Sequence, residues 1–528
     1  GVTGKCMFGV DALTRVALER CDSARCAVQL MGALAERYGF FSADSGDPNN
    51  PDFLDSGEAL GLADKYGELW IFNVLTGINN EGAIWAAQRL DGDVVHANAN
   101  DLTIREIDLA NTDRFYGTKN MVAIAEQQGW YDPIKDGKFD FWSAFAEHEA
   151  LGGKRQYTWR RLWRVYSLVA PSQGFSADDT VFPVGVKPDK KLSLKDDIFP
   201  ILRDAYEGTK YDLTQGIAAG PFNSPTRYDT DMISKYTDGS WERAISIFRG
   251  IFSFVAVVRP DMPDAIGGQF WYGWDQASGT VFHPLYVSAT KMPRGYIEYG
   301  AQSKWEPESP WRWYNVINNW ANLRYNKIIQ DITAESRKWE DAGFAMAKET
   351  DRLALEAWGD GSSSAQRDKA IAIITDRTTA HADALNGAWK NFSGYLMAKW
   401  ANGYNLTGEG ATDWIEEGYP DWWLAITDYV AFPNTDKLSL PYKSEMICAH
   451  GGGGKKGSVT ITLSFFALAM VMVAVILSWL FVAYFVVNYM KRKEHAAKTS
   501  SMYTRRNPAS SLEQGGSSRV NSSYSPLR

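Results

Sequence analysis

Apolar positions along the first 40 residues recur at helical spacing and predict two amphipathic helices, the second opening at Asp22-Ser23 and stopping near Gly39. Three apolar segments follow, Glu68–Leu75, Ala83–Leu90 and Asp93–Asn98, joined by Gly/Asn-rich turns. They predict an antiparallel meander whose first strand, apolar on both faces, needs cover on both sides. Residues 139–170 read as helical, and after a proline-bearing loop Leu194–Tyr206 resumes a helix. A second strand set is predicted from Trp241–Val258, Gly268–Trp274 and Thr280–Val287, and 311–400 is mainly helical around a soft Gly359–Ser364 link. Helix, sheet, sheet, helix in chain order predicts one intertwined α+β domain over 1–430, its helical C-terminal part at about 311–425.

The pattern changes sharply near the C-terminus. Between Lys456 and Lys491 no charged residue occurs, and Phe465–Val487 is apolar apart from Ser478, Trp479 and Tyr484. A hydrocarbon core about 30 Å thick needs about 20 helical residues, so 458–490 is predicted to be a single transmembrane helix. Lys491, Arg492 and Lys493 follow directly, which predicts a cytosolic C-terminus and an extracytosolic body. Residues 431–457, with Gly451–Gly454, read as a juxtamembrane linker, and 491–528 as a disordered basic cytoplasmic tail. Residues 1–40 hold no apolar leader and the chain opens on Gly1. The reading is therefore of a body that is N-terminally incomplete.

Charge sharpens this division. The formal net charge is -8, but the tail from Lys491 carries eight Lys/Arg and two Glu, a net of +6 that leaves -14 for everything before it. An acidic body argues against a nucleic-acid partner. Four cysteines are too few for a disulfide scaffold; Cys21 and Cys26, five apart on a predicted helix, lie about 140° around it and are expected not to pair. The six histidines show neither close spacing nor an H-E-x-x-H pattern, so no metal is expected, and no nucleotide or flavin signature calls for a cofactor. Two sequons, at Asn391 and Asn405, lie on the predicted external side.

Several ordered blocks carry a resemblance. Ala17-Leu18-Glu19-Arg20, Ala27–Gly32, Trp85–Arg89, Ala99-Asn100, Thr103–Glu106, Arg160–Trp163, Ala170–Gln173, Tyr206–Thr209, Ala218–Pro221, Ala265–Gly268 and Gly418–Trp423 together resemble the C69 peptidases, over about residues 5–425. That resemblance implies an N-terminal-nucleophile hydrolase with an αββα sandwich, in which a Cys at the mature N-terminus attacks the amide carbonyl and its own amine acts as base. It implies a cysteine-type dipeptidase acting on dipeptides or short peptides. The alternatives are a non-peptide N-acyl amidase and a catalytically silent binding ectodomain.

The family's N-terminal Cys segment has no counterpart here. The nucleophile is expected upstream, with that segment a candidate separate chain, and the chain alone is expected to be inactive. Cys6, the nearest thiol, is read as structural. Asn100 matches the family's Asn after the third strand and is the oxyanion candidate, with a turn role as its rival. Arg89 and Arg227 match family arginines and are candidates to hold a substrate carboxylate, with structural ion pairs as the rival reading. Asp212 and Arg259 also match, and capping and salt-bridge roles account for them. Phe252-Ser253-Phe254 stands where family members carry an aromatic-Ser-His triplet. Without the front segment, strand Glu68–Leu75 is expected to lose part of its cover.

Overall fold

The computed structural model describes residues 6–42, 57–146, 158–228, 242–298, 303–408 and 413–427. The linker, spanning segment and tail predicted over 431–528 lie outside the described residues. No helix among the described residues is long and apolar enough to cross a membrane.

Helices α1 (Val10–Arg20) and α2 (Ala24–Tyr38) form a hairpin. Ala24, Ala27, Val28, Met31 and Ala35 are buried at the i, i+3, i+4, i+7 spacing that turns one face of α2 to a core. The Ser23 side chain caps its start by accepting from the Cys26 amide, and Gly39, at φ 78°, ends it in a backbone region that favours glycine. One expectation fails here. Cys21 and Cys26 are joined in a disulfide, with Cα atoms 5.6 Å apart. Cys21 lies past the end of α1 in extended backbone, so the helical angle that would keep the pair apart does not apply.

The first sheet has the order β1 (Gly57–Ala63), β2 (Leu69–Thr76), β3 (Ala83–Leu90), β4 (Phe115–Gly117), all antiparallel. Trp70, Phe72, Val74, Trp85 and Ala87 pack with α1 and α2. From the opposite face Ile71, Leu75, Ile84, Ala86 and Leu90 meet Leu102, Ile104, Met121 and Phe141. Gly32 is what allows α2 so close, since a Cβ there would lie 2.2 Å from the Trp85 ring. Two expectations are corrected. Asp93–Asn98 is not a strand of this sheet; it makes one bridge, Val95 to Val186, and β4 takes the place beside β3. Strand β2 is covered on both faces, because the segment from Leu102 to Phe141 folds back over the side opposite the helices.

The second sheet, β5 (Phe252–Val257), β6 (Gln269–Trp274) and β7 (His283–Tyr286), is antiparallel in chain order. Val255, Val257 and Trp271 pack with Phe199, Phe282 and Phe344. The other face of β5 and β6 presents Phe252, Phe254 and Phe270, at 50%, 48% and 36% exposure. The residues from 139 to 170 do not make one continuous helix. Helices Phe141–Phe145 and Arg160–Val169 are described, with 147–157 between them outside the described residues. The Leu194 segment begins as a π turn, continues as helix Phe199–Arg203, and stops before Tyr206.

Helix Pro310–Ala321 leads into a long hairpin, Tyr325–Trp358 and Ser364–Lys399. The hairpin turns at the expected link, where Ser363 and Gln366 form a reciprocal capping box. Tyr314, Ile317, Ile328, Ile332, Leu385 and Trp389 make its core. Mixed helix and sheet in this arrangement bear out the α+β class.

Candidate active site

Helix Arg160–Val169 carries arginines at 160, 161 and 164, and each reaches a different segment of the chain. Arg161 donates from Nη2 to Asn100 Oδ1 at 2.6 Å. Arg160 pairs with Glu242, and its Cζ lies 3.8 Å from the centre of the Tyr211 ring. Arg164 holds both carboxylate oxygens of Asp204, Nε at 2.9 Å and Nη2 at 2.6 Å, and donates to the Glu207 carbonyl. One helix start thus ties the Asn100 loop, the Asp204–Tyr211 turn and the Glu242 segment together.

Asn100 is exposed, with φ 58°. Its loop is pinned from behind by Asn73, a fully buried residue of β2 whose Oδ1 accepts from the Thr103 and Ile104 amides at 3.1 and 3.2 Å. Because Arg161 donates to Oδ1, the amide is oriented with Nδ2 on its other side, leaving a side-chain donor at an exposed position.

Burial raises two acids of this region, Glu207 and, further, Glu242. It pushes the Glu242 carboxyl up to about 7, with Arg160 and Arg227 pulling the other way. Glu242 is also a wall residue. It lines a cleft with Leu213, Thr226, Arg227, Ala244 and Ser246. Arg227 donates to the backbone carbonyls of Leu213, Ser224 and Thr226, and burial lowers its guanidinium from the ordinary value. The structure therefore brings Asn100 and Arg227 to one region through Arg160, Arg161 and Glu242.

Arg89 belongs elsewhere. It leaves β3 opposite Trp70 and pairs with Glu68 at 3.3 Å and Asp113 at 2.7 Å. Arg25 joins the same acids, and these cations hold the Glu68 carboxyl at about 2. Its contacts are those of a structural ion-pair network.

Asp212 caps its own turn, accepting from Thr214 N and Oγ1, and Arg259 pairs with Asp351. Cys6 is buried and its thiol donates to the Asn80 carbonyl at 2.9 Å. Glu242 and Arg161 were not singled out from sequence. The signal was the Arg-Arg-Leu-Trp block itself, which puts two cations at a helix start where the macrodipole disfavours them, so that both need partners.

The model of peptidase family C69 matches residues 3–338. The chain belongs to peptidase family C69. Within the curated relatives, this C69 chain is 27% identical over 277 residues to a probable dipeptidase of Salmonella dublin, covering 52% of the chain and 54% of the relative. It is 23% identical over 288 residues to a probable dipeptidase of Latilactobacillus sakei, covering 54% and 52%. The chain spans about half the length of the curated relatives it matches.

Proposed function

We propose that this protein is a membrane-anchored cysteine-type dipeptidase, hydrolysing dipeptides or short peptides on an αββα sandwich by attack of an N-terminal Cys. The family membership and the names of its relatives support the reaction class. The observation that carries the site is the Asn100 amide, turned by Arg161 so that Nδ2 is the donor presented. In acyl transfer the thiolate adds to the scissile carbonyl, the carbonyl oxygen gains the negative charge, and collapse expels the amine, which takes up a proton; water then releases the acid. Nδ2 of Asn100 would donate to that oxygen, a contribution of a few kcal/mol in the transition state. Arg227, on the cleft wall, would add positive potential toward a substrate carboxylate. The burial of Cys6, with its thiol on the Asn80 carbonyl, supports a nucleophile other than that residue.

Anchoring through 458–490, with the body extracytosolic, rests on the uncharged apolar run and the Lys/Arg that follow it. The Cys21–Cys26 disulfide supports an oxidising compartment. Phe254, where the family triplet carries His, favours the silent binding ectodomain as the second reading. The deciding experiment is amino-acid release from a dipeptide panel by the protein purified from its native membrane. Turnover abolished by a thiol alkylator supports the dipeptidase; no turnover of any dipeptide by the folded protein would leave the binding ectodomain.

A further inference from the structure

Away from the Asn100 region, the start of helix Tyr325–Trp358 meets the Pro221–Asn223 loop and the Glu417–Trp422 segment around an open cavity of about 240 Å³. An open cavity of that volume has room for one large side chain. Its wall is partly aromatic: Phe222 stacks on Tyr419 at 5.6 Å between centroids, and Trp422 lies at the rim, 41% exposed.

The charges on that wall are unequal. Lys327 is 3.4 Å from Glu417, so those two offset one another. Arg324 is half-buried, its Cζ 4.3 Å from the Phe222 ring centre. Among the described residues its guanidinium has neither an ion pair nor a hydrogen bond, although nearly every other half-buried arginine of this fold is matched to a carboxylate or to carbonyls, as Arg25, Arg164, Arg203, Arg227 and Arg259 are. A guanidinium whose carbon lies over an aromatic ring and whose donors have no partner among the described residues is suited to receive a carboxylate. The loop is held rigidly for such a role: Asn326 N donates to the Phe222 carbonyl at 3.0 Å and Asn326 Nδ2 to Asn223 Oδ1 at 3.2 Å.

We infer that this cavity is a binding site for a small carboxylate carrying an aromatic or large apolar group, its carboxylate on Arg324 and its side chain between Phe222 and Trp422. The inference does not rest on the proposed peptidase activity, and its readout is binding alone. The two sources of such a group, a free amino acid and the C-terminal residue of a longer peptide, share this chemistry, and the titration separates them.

Isothermal titration of the full-length protein with L-phenylalanine tests it, with phenylalaninamide, which lacks the carboxylate, and with a tetrapeptide ending in phenylalanine. Saturable binding of phenylalanine is expected. It should weaken by about tenfold or more on removing the ligand's carboxylate and by a similar factor in Arg324→Gln, the scale of a lost charge-assisted pair. Trp422→Ala, at an exposed position, should weaken it several-fold with an unchanged melting temperature, so the site stays testable should Arg324→Gln fail to fold. Equal binding of phenylalanine and its amide, equal binding by the wild type and a folded Arg324→Gln, or no binding of phenylalanine at 10 mM (roughly the ceiling of a physiological affinity) overturns the inference. Tighter binding of the tetrapeptide than of phenylalanine overturns the free amino acid as the ligand.

Discussion

Asn100 combines two demands that substitutions can separate. Its φ of 58° favours Asn or Gly, whereas donation to an oxyanion needs the side-chain amide. Asn100→Gly keeps the backbone relaxed and removes the donor, while Asn100→Ala removes the donor and adds about 1 kcal/mol of strain. In the active protein, both should lower kcat about a hundredfold with little change in KM, and only Ala should lower the melting temperature. Normal turnover in the Gly variant would assign Asn100 to the turn. A second prediction concerns His283, fully buried, with Nε2 2.7 Å from the Tyr296 hydroxyl and its ring 6.4 Å from that of His381. Burial, and then His381, hold it down to about 3 against 6.5 when unfolded. A folded value below the unfolded one means that stability is fully present above about pH 6.5 and falls as pH drops toward 3. The slope approaches about 1.4 kcal/mol per pH unit for this group. Urea midpoints between pH 7 and pH 4.5 should fall steeply in the wild type and less so in His283→Gln, compared as differences from each protein's own pH 7 value.

For the elements, the close approach of α2 to β3 is the most exacting contact. The 2.2 Å separation between a Cβ at position 32 and the Trp85 ring leaves no room for a methyl group, and Trp85 is tied at its edge by Nε1 donating to Glu36 at 3.0 Å. Gly32→Ala gains helix propensity worth about 1 kcal/mol but must displace the hairpin or the indole. The expected net loss is about 2–3 kcal/mol, read as a lower chemical-denaturation midpoint. A more stable Ala variant would show that α2 can slide over the sheet. The same hairpin shows where helical periodicity misleads. The angle of about 140° assumed one helix through both cysteines, whereas the helix start read at Asp22-Ser23 leaves Cys21 before α2 in extended backbone, and that turn brings Cys21 to Cys26.

At the scale of the whole molecule, the proposed topology predicts protection of residues 491–528 from protease added to sealed cells, with cleavage only after permeabilisation. Asn391 is exposed on helix Ser364–Lys399 and Asn405 half-buried in β8 (Tyr404–Leu406), so a glycan, if the body is extracytosolic, should sit on Asn391. Enzymatic deglycosylation should then shift the wild type and not Asn391→Gln. Tail cleavage from outside would reverse the orientation. The exposed Phe252, Phe254 and Phe270 replace β2 as the apolar face open to solvent, and the body alone is expected to bind a hydrophobic dye through them.

Much of this was legible in order along the chain. The amphipathic helices, β2, β3, the β5–β7 set and the long hairpin each follow from local spacing of apolar residues, because burial of one face or both imposes its period on the sequence itself. The family blocks were legible too, since they are runs of adjacent residues. What local spacing does not encode is which distant segment supplies the partner. Asp93–Asn98 is as apolar as a strand, yet Phe115–Gly117 takes the sheet position. Arg89 and Arg227 look alike in sequence, yet one is bound to Glu68 and Asp113 and the other to three carbonyls beside Glu242. The Arg161–Asn100 bond spans 61 positions and the cavity gathers residues from 221 to 422. Such pairings depend on long-range packing, so only the tertiary structure decides them.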